Sequence, residues 1–219
     1  RRAMGFRVAY FSGEPQTPGH TYRVRMYADA LLDAGFDVAV VPVDEIAQNR
    51  SCLTGIDVLV IWRAVWNKDL AAAVSAARKA GVRIVFDVDD LMIDPSIAKA
   101  EFIDGIRTQG FAESAIAGFY ARMQKTMQSA EFCTCTTQPL ATAMRAFRKT
   151  VYVLPNGFDE IRYQRSRQAV AERAAAGSDG LVRIGYAGGT KTHQKDFACA
   201  AAGVARVLRE HPEGRLVLF

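Results

Sequence analysis

The sequence predicts an α/β fold, a Rossmann-like parallel sheet with helices on both faces, followed by the first β-α-β elements of a second such domain. Short apolar runs alternate with helix-forming stretches, which is typical of buried parallel strands. A helix end, a glycine and an apolar strand recur as AGFDVAVV at 34–41 and AGVRIVF at 80–86. The segment RIGYAGGTKTHQKDF at 183–197 then opens a new strand, glycine loop and helix. We therefore expect one complete layered domain and the beginning of another.

The first domain is predicted from the period of its apolar residues. Its strands are expected at 7–12, 38–43, 57–62, 82–86, 132–137 and 151–154, and its helices at 22–34, 68–80, from about 111 and from 139. In the third helix, Phe119, Met123 and Met127 share one face, which indicates a core-facing stripe rather than a cofactor site. Pro139 suits the first turn of the fourth helix because that position needs no N–H donor.

The domain boundary is predicted from the chain break at 155–157, PNG, and from the polar, alanine-rich helix after it. We place the first domain at 1–160, a linker helix at 161–180 and the start of the second domain at 181–219. The second domain opens with a strand at 181–187, a glycine loop, a helix to about 210 and a strand from 215. The chain ends inside an apolar run, so we expect this domain to be truncated.

The composition is that of a globular protein: of 219 residues, half are hydrophobic and 23% are charged, which excludes a disordered chain. The net charge of +5 suits nucleotide phosphates or an acidic membrane face, although evenly mixed signs equally describe a solvated surface. Four cysteines without metal-type spacing predict free thiols in a reducing cytosol. We expect a cytoplasmic protein, with peripheral contact at the inner membrane face through basic residues in 145–167, and no nucleic-acid partner.

Open parallel sheets bind ligands at the carboxyl ends of their strands, and the loop after the first strand is the first candidate. Gly13 and Gly19 would let the backbone approach a ligand, and the following helix offers its positive end to a phosphate or carboxylate. The loop has neither the Walker motif nor the dinucleotide fingerprint. A plain surface turn therefore remains an alternative.

The second candidate is the acidic turn after the fourth strand, with Asp87, Asp89 and Asp90. Three carboxylates in four residues repel each other unless a cation, hydrogen-bond donors or a substrate compensates them. FDVDDL resembles the motif of haloacid dehalogenase phosphatases, with Asp87 as nucleophile and Asp89 as acid/base, but it lacks the following threonine and does not follow the first strand. It also resembles the metal-binding DxD of one glycosyltransferase fold, but that motif belongs to a different architecture. A helix-capping cluster is the structural alternative.

The third candidate is the loop of Gly188, Gly189, Thr190 and Lys191 with Lys195 beyond it. Backbone amides, a helix N-terminus and two lysines would form a cradle for a diphosphate. Helix electrostatics do not favour lysine near a helix start, so a ligand is a reasonable cause. A glycine turn with solvated lysines is the alternative.

Three segments together resemble the nucleotide-sugar glycosyltransferases of the GT-B fold, in the large retaining group called family 4. They are RVAYFSGEPQTPGHTYRVR at 7–25, LPNGFD at 154–159 and IGYAGGTKTHQKDF at 184–197. The resemblance implies two Rossmann-like domains facing across a cleft. A glycan, lipid or small-molecule acceptor would lie mainly against the first domain and a UDP- or GDP-sugar mainly against the second. The implied reaction transfers the sugar to an acceptor hydroxyl, retaining and without an obligatory metal.

Carried over by position, the family's Gly-Arg pair falls on Gly188 and Gly189, so the arginine is absent, whereas the family's lysine matches Lys195. Asp87 stands where many members have a histidine. The resemblance thus implies catalytic roles for Asp87, Asp89 and Asp90. It implies phosphate binding by Gly188, Gly189, Thr190, Lys191 and Lys195, and an acceptor-side loop with Gly13, Gly19, His20 and Arg23. The family's glutamate pair would lie beyond Phe219, and we expect this fragment alone to be inactive.

Two other functions remain open from the sequence. A non-catalytic carbohydrate- or anion-binding module would bind sugar without nucleotide. A Mg²⁺-dependent phosphatase would use Asp87 and Asp89.

Overall fold

The computed structural model describes residues 5–147, 149–188 and 194–219. They divide into two compact units. The first unit comprises the chain up to Pro95 together with Gly118–Asp159, and the second comprises Ser96–Ala117 together with Glu160–Phe219. Residues 96–117 therefore group with the C-terminal part of the chain, which a linear reading of the sequence did not anticipate. The domain limits at 160 and 180 stay a prediction.

The described part of the first unit contains a six-stranded, fully parallel sheet. Its strands are β1 (Arg7–Ser12), β2 (Asp37–Pro42), β3 (Val58–Trp62), β4 (Arg83–Val88), β5 (Phe132–Cys135) and β6 (Thr150–Val153). Their spatial order is β2-β1-β3-β4-β5-β6, so the winding direction reverses between β1 and β3. This confirms the predicted Rossmann-like sheet.

Helices form from the stretches between these strands. They are α1 (Pro18–His20), α2 (Met26–Asp33), α3 (Lys68–Lys79), α4 (Asp104–Gln109), α5 (Glu113–Ser129), α6 (Gln138–Arg145), α7 (Glu160–Ala176) and α8 (Gln194–Glu210). Asn67 and Thr137 cap α3 and α6, each accepting a hydrogen bond from a backbone N–H in the first turn. The Thr137 cap explains why β5 stops before the predicted strand end at 137.

The core lies on both faces of the six-stranded sheet. Alternate residues of β1 enter two apolar clusters: Ala9 and Phe11 pack in the larger one, and Val8 and Tyr10 in the smaller one. Alternation of this kind follows from the two-residue period of a strand. In the predicted stripe of α5, Met123 and Met127 are fully buried in the larger cluster and Phe119 packs against it partly buried, so the role of the stripe is packing.

The helix predicted at 22–34 is interrupted. A five-residue π-helical turn, Thr21–Arg25, separates α1 from α2, and both Arg23 and Val24 are buried in it. The extra residue in a π turn shifts the helix register, and such turns are frequent at functional sites. Here the turn brings Arg23 into the protein interior.

The second unit repeats the β-α-β pattern on a smaller scale. Strands β7 (Val182–Tyr186) and β8 (Gly214–Leu218) pair in parallel, and α8 lies between them in sequence. These bounds match the predicted strand, helix and strand closely. The second unit therefore contains a two-stranded parallel layer.

All four cysteines are free thiols, as predicted, and Cys133 and Cys135 are buried on one face of β5. Burial raises the pKa of Cys133 to about 12, so this thiol stays protonated and unreactive at neutral pH. No helix within the described ranges is long and apolar enough to cross a membrane.

Candidate functional site

The polar residues of the first unit converge where β1, β3 and β4 end, beside the reversal of winding between β1 and β3. Ligands of open α/β sheets bind at such switch points because the loops from neighbouring strands diverge there. We call Glu14, His20, Arg63, Asp89 and Asp90 the switch-point cluster. The sequence-predicted residues His20, Asp89 and Asp90 belong to it.

Arg63 is the centre of the switch-point cluster. Its guanidinium donates to Glu14 (Nη1 to Oε2, 3.0 Å) and to Asp89 (Nε to Oδ1, 2.7 Å), and it also pairs with Asp90. Among the described non-glycine residues, only Arg63 has a positive φ, 45°. A left-handed backbone at a site residue stores strain that the surrounding contacts must hold.

Arg63 is not among the site residues predicted from the sequence. The only available signal was a basic residue directly after a buried strand, which is common at strand ends. The repulsion expected among the acidic residues is offset by Arg63, whose guanidinium is 11% exposed and pairs with carboxylates from two loops.

Asp89 and Asp90 differ in their contacts and in their exposure to solvent. Asp89 also accepts a hydrogen bond from the indole N–H of Trp62 (3.3 Å), and its side chain is 15% exposed. The side chain of Asp90 is 66% exposed. Thus Asp89 is fixed and Asp90 faces solvent. Within the described ranges no group of three or more His, Cys, Asp or Glu residues has the geometry to hold a metal ion.

Asp87 and Arg23 form a buried ion pair with two hydrogen bonds. Arg23 donates from Nη2 to Oδ1 (2.5 Å) and from Nε to Oδ2 (3.0 Å), and the Thr134 hydroxyl donates to the same Oδ1 (2.6 Å). The side chain of Arg23 is 0% exposed and that of Asp87 is 4% exposed. Burial raises the pKa of the Asp87 carboxyl, and the hydrogen bonds from Arg23 and Thr134 oppose that shift. The catalytic role predicted for Asp87 stays a prediction, and this geometry favours a positioning role.

Arg23 and Tyr27 also hold the segment LPNGFD. The Nη1 of Arg23 donates to the carbonyl oxygen of Leu154 (2.6 Å) and to Oδ1 of Asn156 (3.1 Å). The Tyr27 hydroxyl donates to the carbonyl oxygen of Pro155 (2.5 Å). The helical region after β1 is therefore bound directly to the chain leaving β6. The predicted acceptor-side residue Arg23 points into this contact.

Gly13 and Gly19 are needed for close approach, but the approach is to the chain itself. A Cβ on Gly13 would lie 2.0 Å from the carbonyl oxygen of Arg63, and one on Gly19 would lie 2.9 Å from the Trp62 ring. The Gly13 N–H donates to the carbonyl oxygen of Trp62 (2.8 Å). Gly13 and Gly19 were expected to let the backbone approach a ligand. In this geometry they instead allow the 13–20 loop to pack on the 62–63 turn.

His20 is oriented by the end of β1. Its Nδ1 lies 2.9 Å from the Ser12 hydroxyl oxygen, and its ring centroid is 6.1 Å from that of Trp62. Burial lowers the pKa of His20, and the positive charge of Arg25 lowers it further. The imidazole is therefore neutral at pH 7 and able to accept a proton.

The predicted donor-phosphate residues lie in the second unit. Gly189, Thr190 and Lys191 fall outside the described residues. Gly188 is described, and a Cβ there would lie 3.1 Å from the Tyr186 ring.

Lys195 lies in the first turn of α8. Its backbone N–H donates to Oδ2 of Asp104 (2.6 Å), and its ammonium donates to the carbonyl oxygens of Ala100 (3.1 Å) and Glu101 (2.7 Å). Asp104 also accepts from Arg107 (2.9 Å). The hydrogen bond from the Lys195 N–H, with that from Arg107, lowers the pKa of Asp104. The N-terminus of α8 thus binds an anionic group supplied by the chain.

No protein-family model matches this chain, and no curated protein matches it. Among solved structures it is weakly similar to a complex between a UDP-glucosyltransferase from Polygonum tinctorium, capable of glucosylating indoxyl, and 3,4-dichloroaniline. That match has a TM-score of 0.49 and 10% identity and covers 100% of this chain and 72% of the other. This chain also matches LsrB from Clostridium saccharobutylicum in complex with AI-2. That match has a TM-score of 0.34 and 11% identity and covers 95% of this chain and 51% of the other. Membership of family 4 stays a prediction.

A methyl group at position 13 should destabilise the fold, because it would meet the backbone of Arg63. We expect Gly13→Ala to lower the free energy of unfolding by about 3 kcal/mol. Gly118→Ala, in α5 with nothing within 4 Å of the added methyl, is the matched control and should raise it by about 1 kcal/mol. Urea denaturation of both variants measures this. Equal effects at the two positions would contradict the packing described for Gly13.

Removing one member of the buried ion pair should be costly, because the other charge is left without its partner. We expect Arg23→Met and Asp87→Leu each to destabilise the fold by roughly 3–5 kcal/mol. The double variant should lose clearly less stability than the sum of the losses in the two single variants. A denaturation double-mutant cycle tests this, and additive losses would show that the two side chains are not coupled.

His20 should titrate below its ordinary pKa of about 6.5 in an NMR titration. Arg25→Gln should raise that pKa part of the way, whereas Arg25→Lys keeps the charge and should leave it low. Because the folded-state pKa is the lower one, the unfolded chain binds more protons, and stability is lost as the pH falls through about 6.5. A wild-type pKa at or above 6.5 would contradict the lowering by burial and Arg25.

Proposed function

We propose that this chain is part of a glycosyltransferase that transfers a sugar from a UDP- or GDP-sugar to an acceptor hydroxyl. The observation that carries the proposal is the contact between two of the three segments on which the sequence resemblance rests. Segment 7–25 binds LPNGFD through Arg23. These two segments are far apart in sequence but form one local structure, beside the polar switch-point cluster.

In this proposal the first unit receives the acceptor. Carboxylates accept hydrogen bonds from hydroxyl groups, and Asp90 is the exposed carboxylate of the switch-point cluster. Neutral His20, oriented by Ser12, accepts the proton that the reacting hydroxyl loses. Arg63 and Asp89 hold the loops in place, and Asp87 and Arg23 act behind them as positioning residues.

The second unit holds the donor's diphosphate in this proposal. The leaving diphosphate gains negative charge as the glycosidic bond to it breaks, so fixed positive charge accelerates the reaction. The N-terminus of α8 and the ammonium of Lys195 supply that charge, and Lys191 is a further predicted contributor. The anion already bound at this helix end, Asp104, supports the assignment.

The phosphatase alternative fits this geometry less well. A nucleophilic aspartate must reach phosphorus with a carboxylate oxygen, whereas both oxygens of Asp87 are bound by Arg23 and Thr134 in the protein interior. The carbohydrate-binding module differs from a transferase in its ligands, since it would bind sugar and leave nucleotide-sugars unchanged. Each alternative therefore predicts its own result: sugar binding without nucleotide for the module, and phosphate release for the phosphatase.

The proposal is tested by assaying the full native protein with a panel of UDP- and GDP-sugars and hydroxyl acceptors, measuring acceptor-dependent nucleotide release. His20→Gln should lower kcat by about 10²–10³-fold with the donor KM little changed. Lys195→Ala should lower kcat/KM for the donor. Asp37→Asn is the control, because Asp37 pairs with Arg7 at the opposite ends of the strands.

Three results would contradict the proposal. Nucleotide release unaffected by both His20→Gln and Lys195→Ala would remove the assigned roles. Binding of sugar without nucleotide would identify a binding module. Mg²⁺-dependent phosphate release that is lost in Asp87→Asn would identify a phosphatase.

A further inference from the structure

A short segment of the second unit, residues 99–104, lies against the N-terminus of α8; it is irregular up to residue 103 and ends at Asp104, the first residue of α4. We call it the strap. The geometry points to an autoinhibitory contact: the strap places the Asp104 carboxylate and two carbonyl oxygens where the donor's diphosphate must bind, and it has to leave before the donor enters. This inference rests on the proposed function and adds a means of regulating the same site.

The Asp104 carboxylate acts as a built-in substitute for the ligand. It accepts the Lys195 N–H at 2.6 Å, one of the amides that a helix leaves unpaired in its first turn. A negative charge is favourable there because the helix N-terminus carries partial positive charge. The side chain is 3% exposed, so a second anion cannot reach that N–H while the carboxylate is in place.

The ammonium of Lys195 is held by the same strap. It donates to the carbonyl oxygens of Ala100 and Glu101, and it lies 3.8 Å from Oδ1 of Asp104. The lysine that matches the family's phosphate ligand is therefore bound to neutral backbone oxygens and one carboxylate. A diphosphate offers this cation more negative charge than the strap does, so the two compete for it.

The strap is fastened at both ends by separate contacts. The N–H of Ala100 donates to Oε1 of Glu113 (2.7 Å), and Arg107 pairs with Asp104 (2.9 Å). Ile106 is 4% exposed, so we place the moving part N-terminal to it. Within the strap, Phe102 is 62% exposed and Ile103 is half-buried, so release of the strap costs no fully buried apolar side chain.

Strap docking and diphosphate binding exclude each other, which makes the strap a negative regulator of donor affinity. The observed affinity for the donor is the intrinsic affinity reduced by the fraction of molecules with the strap released. Any partner or modification that draws the strap away would raise donor affinity without touching the donor site.

The decisive experiment titrates the full chain with inorganic pyrophosphate and with UDP in a calorimeter. Asp104→Asn keeps the shape of the side chain and removes its charge, and it should bind both probes at least about fivefold more tightly than the wild type. Asp179→Asn is the control: it removes a carboxylate of the same unit that pairs with Arg183 instead, and it should match the wild type.

A second measurement needs no variant. Hydrogen exchange of the wild type should become faster at 99–104 when pyrophosphate binds, because the strap leaves its hydrogen bonds. Exchange that is unchanged or slower there would overturn the inference, and so would equal affinity of Asp104→Asn and the wild type, although the donor site would then stand. If neither protein binds either probe, the anion site itself is wrong, and with it the donor half of the proposed function.

Discussion

The first unit depends on one buried interaction, the pair of Arg23 and Asp87. A guanidinium and a carboxylate without solvent contact are stable only if their remaining hydrogen-bonding positions are also filled. Here Thr134 fills one on the carboxylate, and Leu154 and Asn156 fill those on the guanidinium. The pair therefore joins β4, β5, the π turn and the chain after β6, four parts that contact each other at the carboxyl end of the sheet.

This arrangement explains why the switch-point cluster keeps its geometry although it is built from loops. Asp87 ends one strand, and two residues later Asp89 meets Arg63. Because the buried pair fixes Asp87, it also sets the direction of the turn that carries Asp89. His20, three residues before Arg23, is positioned in the same way from the other side. The buried ion pair thus fixes the positions of the neighbouring side chains. Asp90 is the carboxylate of the cluster that faces solvent.

The sequence predicted the elements well because they depend on local information. The apolar period of β1 or α5 is visible within a few residues, and these elements formed with nearly the expected bounds. The contacts that define the candidate residues of each unit could not be predicted, since Arg23 and Asp87 are 64 positions apart in sequence and Lys195 is 91 positions from Asp104. For the same reason the acidic turn was seen as one cluster, although Asp87 points into the core and Asp90 to solvent. The π turn was missed because its register shift leaves no trace in the hydrophobic period.

The left-handed backbone of Arg63 has a consequence for protein engineering. Glycine would relieve a backbone cost of roughly 1–2 kcal/mol at this position, so a search for heat resistance would be drawn to it. The same change would remove the only described cation that contacts Glu14, Asp89 and Asp90 together. Relief of backbone strain and integrity of the switch-point cluster would therefore pull position 63 in opposite directions. A stabilised variant of this protein should keep its arginine there and find its gains elsewhere.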